Sequence, residues 1–526
     1  MARAAATVFA ALVLLGGCGG PTDESASVWP HARPGDIIAK PCPYKIGNEE
    51  LRAECGTLVV AENRSDPKSR LIALPYKRIF ARGGKDAPVF LLNGGPGMSN
   101  LSGSGMAGWF EQHDFVMLGY RGVDGSVRLD CPEVDKAIRR HGPFLNRNGI
   151  ALISDAYGRC AARLKATGID LEGYTVLETV DDLEALRRAL HYDRIDLVGV
   201  SYGTRLAMIY GWRYPDAVKR SAMVSVNPPG NFRFDPARFE GQIGQYSALC
   251  AKDPACRSKD LAADIRKALA GMPKRWLGIP LNRDAAALAT FTALYSTNAA
   301  PVVFDMWSAA ARGDYSGIAL VSAAYPLMLP RNMLWGDFAA KGGSADFDRY
   351  AAADPVSDIA PGRTLLGAPL NVVGWGALRT WPVKKIPAEY RKMQPSIIET
   401  LLVSGSLDVA TPAAIARDEV LPAFPNAHQV VLKEFGHAGD LLLAQPEATR
   451  RLLTHFFATG EVDASGFSYR AVTFAPGLMS LPLIAKGLAP AVIAVLAALA
   501  LLVGWFIVRW RRKTAMGPNA TPPAAP

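Results

Sequence analysis

The chain has 526 residues, of which 49% are hydrophobic and 20% are charged. Such a chain can bury a large core, and its length alone would allow roughly two to four structural units. The net charge of +10 is less informative than its size suggests, because Arg3 and the four basic residues within 509–513 carry half of it. The other half is spread without a basic cluster, so we expect no nucleic-acid partner.

The N-terminus has the pattern of an export signal. Met1–Gly17 combines the early basic residue Arg3 with a run of Ala, Val and Leu, and the run ends in Leu15-Gly-Gly-Cys18. This pattern predicts a signal peptide over residues 1–18 with a lipoprotein-type processing site, in which Cys18 becomes the lipidated N-terminus. The alternative is an ordinary cleaved signal in which Cys18 is incidental.

A glycine-rich loop follows an early strand candidate. Pro88–Leu92 is an apolar run, and Asn93-Gly-Gly-Pro-Gly97 comes directly after it. A glycine-rich turn leaves backbone N–H groups free and lets a substrate approach closely. We therefore predict that Gly95 in this loop donates to a developing oxyanion. The alternative is a plain Gly/Pro connection.

The most informative stretch is Ile195–Thr204, which has the pattern Gly-x-Ser-x-Gly around Ser201. Its apolar first half indicates a buried parallel strand, and Arg205–Trp212 has a helical pattern. A serine on such a sharp turn is held in a strained backbone with its hydroxyl exposed. We predict Ser201 as the nucleophile and the N–H of Tyr202 as the second oxyanion donor. The alternative is an ordinary Gly-rich turn between a strand and a helix.

An acid and a histidine follow Ser201 in the order that this turn requires. Asp408 lies on a loop just after the strand candidate Thr400–Val403, and His437 follows the strand candidate Gln429–Leu432. We predict that His437 takes the proton of Ser201, while Asp408 orients the imidazole and stabilises its charged form. The alternative for Asp408 is a turn or helix N-cap aspartate.

The C-terminus contains a long uncharged run. Gly487–Val508 has 22 residues without a charge, and the basic residues of 509–513 follow it. About 20 apolar residues span a bilayer, and a basic flank stays in the cytoplasm. The run therefore predicts a juxtamembrane segment over 461–486, a transmembrane helix over 487–508 and a cytoplasmic tail over 509–526. A buried core helix is the alternative. The predicted location is the bacterial cell envelope, with the catalytic domain periplasmic and anchored to the inner membrane.

Six cysteines besides Cys18 form an even set in a chain with an export signal, which predicts disulfides. Fifteen pairings are possible, and proximity along the chain favours Cys42–Cys55, Cys131–Cys160 and Cys250–Cys256. The sequence contains neither Cys-x-x-Cys nor His-Glu-x-x-His. We therefore expect no metal and no cofactor.

Taken together, these motifs resemble the proline iminopeptidase and tripeptidyl aminopeptidase branch of the α/β-hydrolases. That branch carries His-Gly-Gly-Pro-Gly, Asp-x-Arg-Gly-x-Gly-x-Ser, a helix before Gly-x-Ser-x-Gly, and late Asp…Thr-Pro and Gly-His segments. The corresponding segments here, within roughly Cys42 to Gly460, are Asn93–Gly97, Gly119–Ser126, Asp181–Leu190, Gly199–Gly203, Asp408–Pro412 and Gly436–His437.

Three positions depart from the family pattern. Asn93 replaces the usual His, Gly119 replaces the Asp of Asp-x-Arg-Gly, and Asp124 replaces the later Gly of that motif, while Arg121 is kept. The predicted nucleophile, acid and base do not depart. The changes therefore bear on substrate preference or loop stability more than on hydrolytic chemistry.

The resemblance implies an α/β-hydrolase fold, with a mostly parallel central sheet and helices on both faces. It places the core at residues 40–228 and 396–460, the second part with a tripeptidyl-aminopeptidase-like segment, and a helical lid at residues 229–395. An acidic group in this lid that pairs with a substrate α-amine would distinguish a peptidase from an esterase. Glu240, Asp305 and Asp314 are the candidates for that acid in this lid.

The leading hypothesis is a membrane-anchored, exported serine aminopeptidase that releases residues or short peptides through an acyl-enzyme. An esterase with the same three residues is the alternative among enzymes, with a small ester as its substrate. A catalytically silent binding domain is the alternative outside enzymes, and the complete set Ser201, Asp408 and His437 argues against it.

Overall fold

A nine-stranded sheet organises the computed structural model, which describes residues 26–46, 48–84, 86–102, 106–140, 142–328, 332–362, 364–488 and 502–507. The signal peptide and Cys18 predicted above lie outside these residues, as does the tail 509–526. The sheet strands are β1 (Ile37–Ile46), β2 (Glu49–Ala61), β3 (Leu71–Ile79), β4 (Asp86–Leu92), β5 (His113–Leu118), β6 (Ile195–Val200), β7 (Val218–Val224), β10 (Glu399–Gly405) and β11 (Ala427–Leu432).

The strands lie in the order β1-β2-β3-β5-β4-β6-β7-β10-β11. The pairings β1–β2, β2–β3 and β3–β5 are antiparallel, and the pairings from β5 through β11 are parallel. All six residues of β6 are buried. A continuous apolar run of this kind is expected for a parallel strand that is covered on both faces.

Helices cover both faces of the sheet, because alternate strand residues point to opposite sides. Phe90 and Leu402 pack in one apolar cluster with the helices Val176–Ala189 and Tyr202–Arg213. Leu91 and Val403 pack in another cluster with the helix Pro446–Thr459. This is the layered arrangement predicted from the resemblance. Outside the region between β7 and β10 and before residue 461, the described helices are α1 (Pro132–Ile138), α2 (Arg147–Ala166), α3 (Val176–Ala189), α4 (Tyr202–Arg213), α13 (Ala413–Ile415), α14 (Ala438–Leu443) and α15 (Pro446–Thr459).

The chain between β7 and β10 is helical apart from a two-stranded hairpin, and we call residues 229–395 the insertion. Its core joins α1 and α2 in a third apolar cluster, which includes Trp307 and Phe291. The elements of the insertion are α5 (Pro236–Cys250), α6 (Leu261–Ala270), β8 (Arg275–Trp276), β9 (Ile279–Pro280), α7 (Arg283–Ala293), α8 (Ala300–Ala311), α9 (Ser316–Met328), α10 (Trp335–Ala351), α11 (Pro355–Ile359) and α12 (Asn371–Thr380).

Three disulfides join the cysteines in the predicted pairs, Cys42–Cys55, Cys131–Cys160 and Cys250–Cys256. The first links the antiparallel strands β1 and β2. The second links α2 to the residue before α1, and the third closes a short loop after α5. Each disulfide therefore links segments that are close in sequence, and the apolar clusters hold the distant segments together.

The predicted transmembrane helix over Gly487–Val508 is wrong. Within the part of the chain that the structure describes, no helix is long and apolar enough to cross a membrane. The described helical residues in this region are 481–488 and 502–507, and residues 489–501 and 508 of the predicted span lie outside the description.

One buried carboxyl group makes the stability of the fold dependent on pH. Asp196 on β6 is fully buried, and its Oδ2 lies 3.9 Å from Nδ1 of the buried His113. Burial raises the pKa of Asp196 to about 7, although Lys219 and Arg220 oppose this effect. The folded protein therefore holds a proton on this carboxyl that the unfolded chain has already lost near pH 4.

We expect Asp196→Asn to remove part of this pH dependence. A carboxyl whose pKa is higher in the folded than in the unfolded protein stabilises the fold. This stabilisation is complete at pH values below the unfolded-state pKa, and it is lost as the pH rises to about 7. Between pH 5 and pH 8, the wild-type free energy of unfolding should therefore fall by about 3 kcal/mol more than that of the variant. Urea unfolding at a series of pH values measures the difference, with the exposed Asp216→Asn as the control. Parallel profiles for wild type and Asp196→Asn would contradict the prediction.

Candidate active site

Ser201 lies on a sharp turn between β6 and α4. Its backbone has φ 53° and ψ −117°, a conformation that non-glycine residues rarely adopt. Its N–H donates to the carbonyl of Val224 on the neighbouring strand β7 at 2.8 Å, which holds the turn against the sheet. A Cβ atom on Gly203 would lie only 1.8 Å from the carbonyl oxygen of Leu92. The glycine therefore allows the start of α4 to pack against the end of β4.

His437 joins Ser201 to Asp408. Its Nε2 lies 3.0 Å from Oγ of Ser201, and its Nδ1 lies 2.8 Å and 3.0 Å from the two carboxylate oxygens of Asp408. Asp408 is fully buried, His437 is nearly so, and Ser201 is half-buried. The structure thus brings together the three residues that the sequence predicts as acid, base and nucleophile.

Asp408 accepts several hydrogen bonds besides its contact with the imidazole. The backbone N–H groups of Ala410 and Thr411 donate to Oδ1, and the hydroxyls of Ser225 and Thr411 donate to Oδ2, all within 3.0 Å. Burial would raise the pKa of Asp408, but His437 and the Thr411 donors outweigh burial and hold this pKa below its ordinary value. The carboxylate is therefore charged at neutral pH and fixed in orientation.

Thr411 and Ser225 were not predicted from the sequence. The hydroxyl of Thr411 also lies 3.3 Å from Nδ1 of His437, so it contacts both partners of the Asp–His pair. The Thr-Pro that follows Asp408 in the family pattern was the available signal for Thr411. Ser225 has φ 57° and comes directly after β7, and no local motif marks it.

The insertion contacts the histidine loop directly. The ring of Tyr295 lies 4.8 Å from the imidazole of His437, and its carbonyl accepts the His437 backbone N–H at 2.7 Å. Asp440 accepts hydrogen bonds from Ser296 and Thr297 of the insertion and from the N–H of Gly436. The position of His437 therefore depends on the residues at the end of α7.

The Asn93–Gly97 loop follows β4 and approaches the same place. A Cβ atom added to Gly94 would lie 3.5 Å from the Cβ of Ser201. Gly95, the predicted oxyanion donor, has φ 138° and precedes a cis proline. Tyr202, the other predicted donor, is the first residue of α4. The loop and the helix start, which contain the two predicted donors, thus both adjoin the predicted nucleophile.

Gly119 and Asp124, two of the residues that depart from the family pattern, lie next to each other in the fold. A Cβ atom on Gly119 would lie 2.6 Å from the Cβ of Asp124, so a side chain at position 119 would collide with Asp124. The Asp124 carboxylate accepts the N–H groups of Tyr120 at 2.8 Å and Asn100 at 3.1 Å. Asn100 in turn accepts the N–H of Asn93 at 2.7 Å. The carboxylate of Asp124 therefore supports the glycine-rich loop through Asn100. In the family pattern the acidic residue stands at position 119, whereas here it stands at position 124.

The three acidic residues of the insertion that were candidates for binding a substrate α-amine contact protein side chains. Asp305 accepts the hydroxyl of Ser480 at 2.6 Å and lies 3.3 Å from Arg257. Asp314 pairs with Lys486 at 2.6 Å. Asp305 and Asp314 thus fasten the segment after α15 to the insertion. The third candidate, Glu240, lies 3.8 Å from Arg266.

Comparison with known proteins finds two family segments and several related enzymes. The family described as "alpha/beta hydrolase fold" matches residues 87–263, and the family described as "TAP-like protein" matches residues 373–468. A tripeptidyl aminopeptidase of Streptomyces lividans is 26% identical over 470 residues, covering 80% of this chain and 84% of that protein. The serine protease Hip1 of Mycobacterium tuberculosis is 27% identical over 432 residues, covering 70% of this chain and 80% of that protein.

Among solved structures, the chain is similar to an α/β-hydrolase enzyme from a Medee basin deep-sea metagenome library. The identity is 14%, the match covers 74% of this chain and 96% of that one, and the TM-score is 0.36. The two matched segments and the peptidase relatives are consistent with the α/β-hydrolase peptidase family, and we conclude from them that the protein is a serine hydrolase.

Proposed function

We propose that the enzyme is an exported aminopeptidase that releases residues or short peptides from peptide N-termini through Ser201, His437 and Asp408. The observation that carries the proposal is the continuous line of contacts from Asp408 through His437 to Ser201, at 2.8 Å and 3.0 Å. The strained backbone of Ser201 presents its hydroxyl at the end of that line.

In the proposed reaction, Oγ of Ser201 attacks the peptide carbonyl carbon while Nε2 of His437 takes the hydroxyl proton. The charge that develops on the carbonyl oxygen is stabilised by the backbone N–H groups of Gly95 and Tyr202. His437 then gives its proton to the leaving nitrogen as the C–N bond breaks, which leaves an acyl-enzyme. Water attacks this ester with His437 as the base, and Ser201 is regenerated.

Asp408 supports both proton transfers without being protonated itself. Its buried charge stabilises the imidazolium that forms in each step, and its bond to Nδ1 fixes the tautomer that leaves Nε2 free to accept a proton. The low pKa of Asp408 keeps this charge in place at neutral and mildly acidic pH. The four donors around the carboxylate hold its oxygens in the orientation that His437 requires.

Peptide substrates are favoured over esters by the relatives, which are named as a tripeptidyl aminopeptidase and a serine protease. The insertion also contacts the histidine loop through Tyr295, so substrates reach the site beside the insertion. The esterase hypothesis uses the same three residues and therefore needs a functional test. The complete set of reactive residues speaks against a silent binding domain.

Export is supported by the cysteines. Three disulfides are expected in an oxidising compartment and are rare in the cytosol, so they favour an extracytoplasmic domain. The signal peptide over residues 1–18 and lipidation of Cys18 agree with this location and stay predictions.

We expect Ser201→Ala to abolish turnover, because loss of the nucleophile in such a site costs several orders of magnitude in rate. The purified domain should react with a fluorophosphonate probe at Ser201, and the exposed Ser465→Ala should react like wild type. A panel of aminoacyl and tripeptidyl chromogenic amides, their N-acetylated forms and short-chain esters then tests the substrate class. Cleavage of free-amine amides but not of acetylated ones supports an aminopeptidase.

Turnover of esters alone would establish the esterase alternative. Absence of probe reaction in wild type would favour the silent binding domain. Equal probe reaction in wild type and Ser201→Ala would contradict Ser201 as the nucleophile.

We expect Thr411→Val to lower kcat by about 10- to 100-fold, because a lost hydrogen bond to a charged group is worth roughly 1.5–3 kcal/mol. KM should change little, since Thr411 contacts Asp408 and His437 rather than the proposed substrate position. Thr411→Ser keeps the hydroxyl and should retain most of the activity. Steady-state kinetics on the best substrate of the panel measures both values. A kcat for Thr411→Val equal to that of wild type would refute the role of this hydroxyl.

We expect mass spectrometry of an unreduced digest to show the three disulfide-linked peptides when the protein is made by export. The physical reason is that each pair already has its Cα atoms within 5.6 Å in the fold. The same protein made in a reducing cytoplasm is the control. Six alkylatable thiols in exported protein would contradict both the disulfides and the proposed location.

A further inference from the structure

A buried ion pair lies on the helix of the insertion that packs against the glycine-rich loop. Asp337 and Lys341 are one turn apart on α10, their charged atoms are 2.7 Å apart, and both side chains are fully buried. Removing two charges from water is costly, so such a pair is weak evidence for a role in stability alone. The contacts of the pair indicate what else it does.

Asp337 binds the end of the Asn93–Gly97 loop. The backbone N–H of Gly97 donates to Oδ2 of Asp337 at 2.9 Å, and the carbonyl of Gly97 accepts the N–H of Leu334 at 2.9 Å. Gly97 has φ 83°, and a Cβ atom there would lie 2.7 Å from the carbonyl oxygen of Leu334. Both polar backbone groups of Gly97 are thus held by the start of α10, in a contact that only glycine permits.

Lys341 reaches the other end of the same loop through Tyr120. Its Nζ donates to the carbonyl of Arg121 at 3.1 Å and lies 5.1 Å from the centre of the Tyr120 ring. The hydroxyl of Tyr120 donates to the carbonyl of Asn93 at 3.1 Å. The last residue of the loop, Gly97, is therefore bound by Asp337, and the first, Asn93, is bound by Tyr120, whose ring Lys341 contacts.

Gly122 makes room for this arrangement. It has φ 78°, and a Cβ atom there would lie 2.8 Å from Oδ1 of Asp337. Two neighbouring residues of the segment Gly119–Ser126 thus contact the ion pair, since the carbonyl of Arg121 accepts from Lys341 and Gly122 leaves space for Asp337. The loop, this motif and α10 form one tightly packed unit.

We propose that Asp337 is a positioning residue that holds the Asn93–Gly97 loop in the conformation needed for the Gly95 N–H to meet the oxyanion, and that Lys341 is the partner that balances its buried charge. This inference rests on the proposed function, because it concerns the donor assigned there. Donors to an oxyanion act only at about 2.7–3.1 Å from the charge, so a loop that is free to shift loses transition-state stabilisation. The ground-state substrate gains little from the same donor, and KM is therefore hardly affected.

Two double variants separate positioning from charge. Asp337→Asn with Lys341→Met removes both charges but keeps an oxygen that can accept the Gly97 N–H. Asp337→Leu with Lys341→Met removes both charges and the acceptor. Double variants are needed because either single change to an apolar residue leaves a buried charge without its partner. Circular dichroism and the melting temperature check that both variants fold.

The matched control is Asp358→Leu with Arg233→Met. This pair, 2.6 Å apart, also lies in the insertion, and its buried carboxylate binds Asn371. The control removes the same kinds of charge from another part of the insertion. Its kcat should stay within about threefold of the wild-type value.

We expect the Leu/Met variant to lose about 10- to 100-fold in kcat with KM nearly unchanged, a loss smaller than that from deleting a donor outright. The Asn/Met variant should stay within a few-fold of wild type. Wild-type kcat in the Leu/Met variant, or equal losses in both double variants, would overturn the proposal.

The rate of fluorophosphonate labelling provides a second readout that does not depend on the substrate class. It should fall in the Leu/Met variant in parallel with kcat, whether amides or esters are the substrates. A wild-type protein that labels and hydrolyses only esters would overturn the peptidase function and leave the positioning role to be judged on ester kcat. A wild-type protein that does not label at all would overturn both proposals.

Discussion

The parallel pairing of β6, β7, β10 and β11 is the constraint on which the rest of the site depends. Parallel strands end at the same edge of a sheet, so the loops after them converge. Ser201 follows β6, Asp408 follows β10 and His437 follows β11. Residues separated by 236 positions along the chain therefore meet at 3.0 Å. Because the insertion leaves the sheet between β7 and β10, its helices start and finish beside the same loops.

Buried charges attach the insertion to the sheet domain at two places on α10. Asp337 binds Gly97 near the start of the helix. Asp346, where the helix backbone is kinked, pairs with Arg205 of α4 at 2.8 Å and accepts the N–H groups of Gly230 and Phe232. Removing one partner of the Asp337–Lys341 or the Asp346–Arg205 ion pair would cost about 3–5 kcal/mol, because the other charge would stay buried alone. The chemistry of these pairs specifies one docked position for α10, and that position shapes the loops beside Ser201.

Sequence reasoning succeeded where the determining interactions are local and failed where they are distant. The turn at Ser201 could be predicted because Gly199 and Gly203 are required within five residues of it. The three disulfides could be predicted because each bridge joins nearby cysteines in a local unit. The acids Asp305 and Asp314 could not be assigned, since their partners come from the segment after α15. The predicted span from Gly487 was wrong, because no helix among the described residues is long and apolar enough to cross a membrane.

The sequence by itself determined the type of fold, the turn that carries the predicted nucleophile, and the order of the predicted acid and base. These features depend on residues that are neighbours along the chain, where strand periodicity and glycine requirements leave a readable pattern. Only the tertiary structure decided that Tyr295 packs on His437, and that Asp337, paired with Lys341, binds Gly97 of the Asn93–Gly97 loop. Those contacts join residues more than a hundred positions apart, through single hydrogen bonds and ring contacts. Contacts of this kind cannot be predicted from a periodic pattern along the chain, because they form only when the insertion packs against the sheet domain.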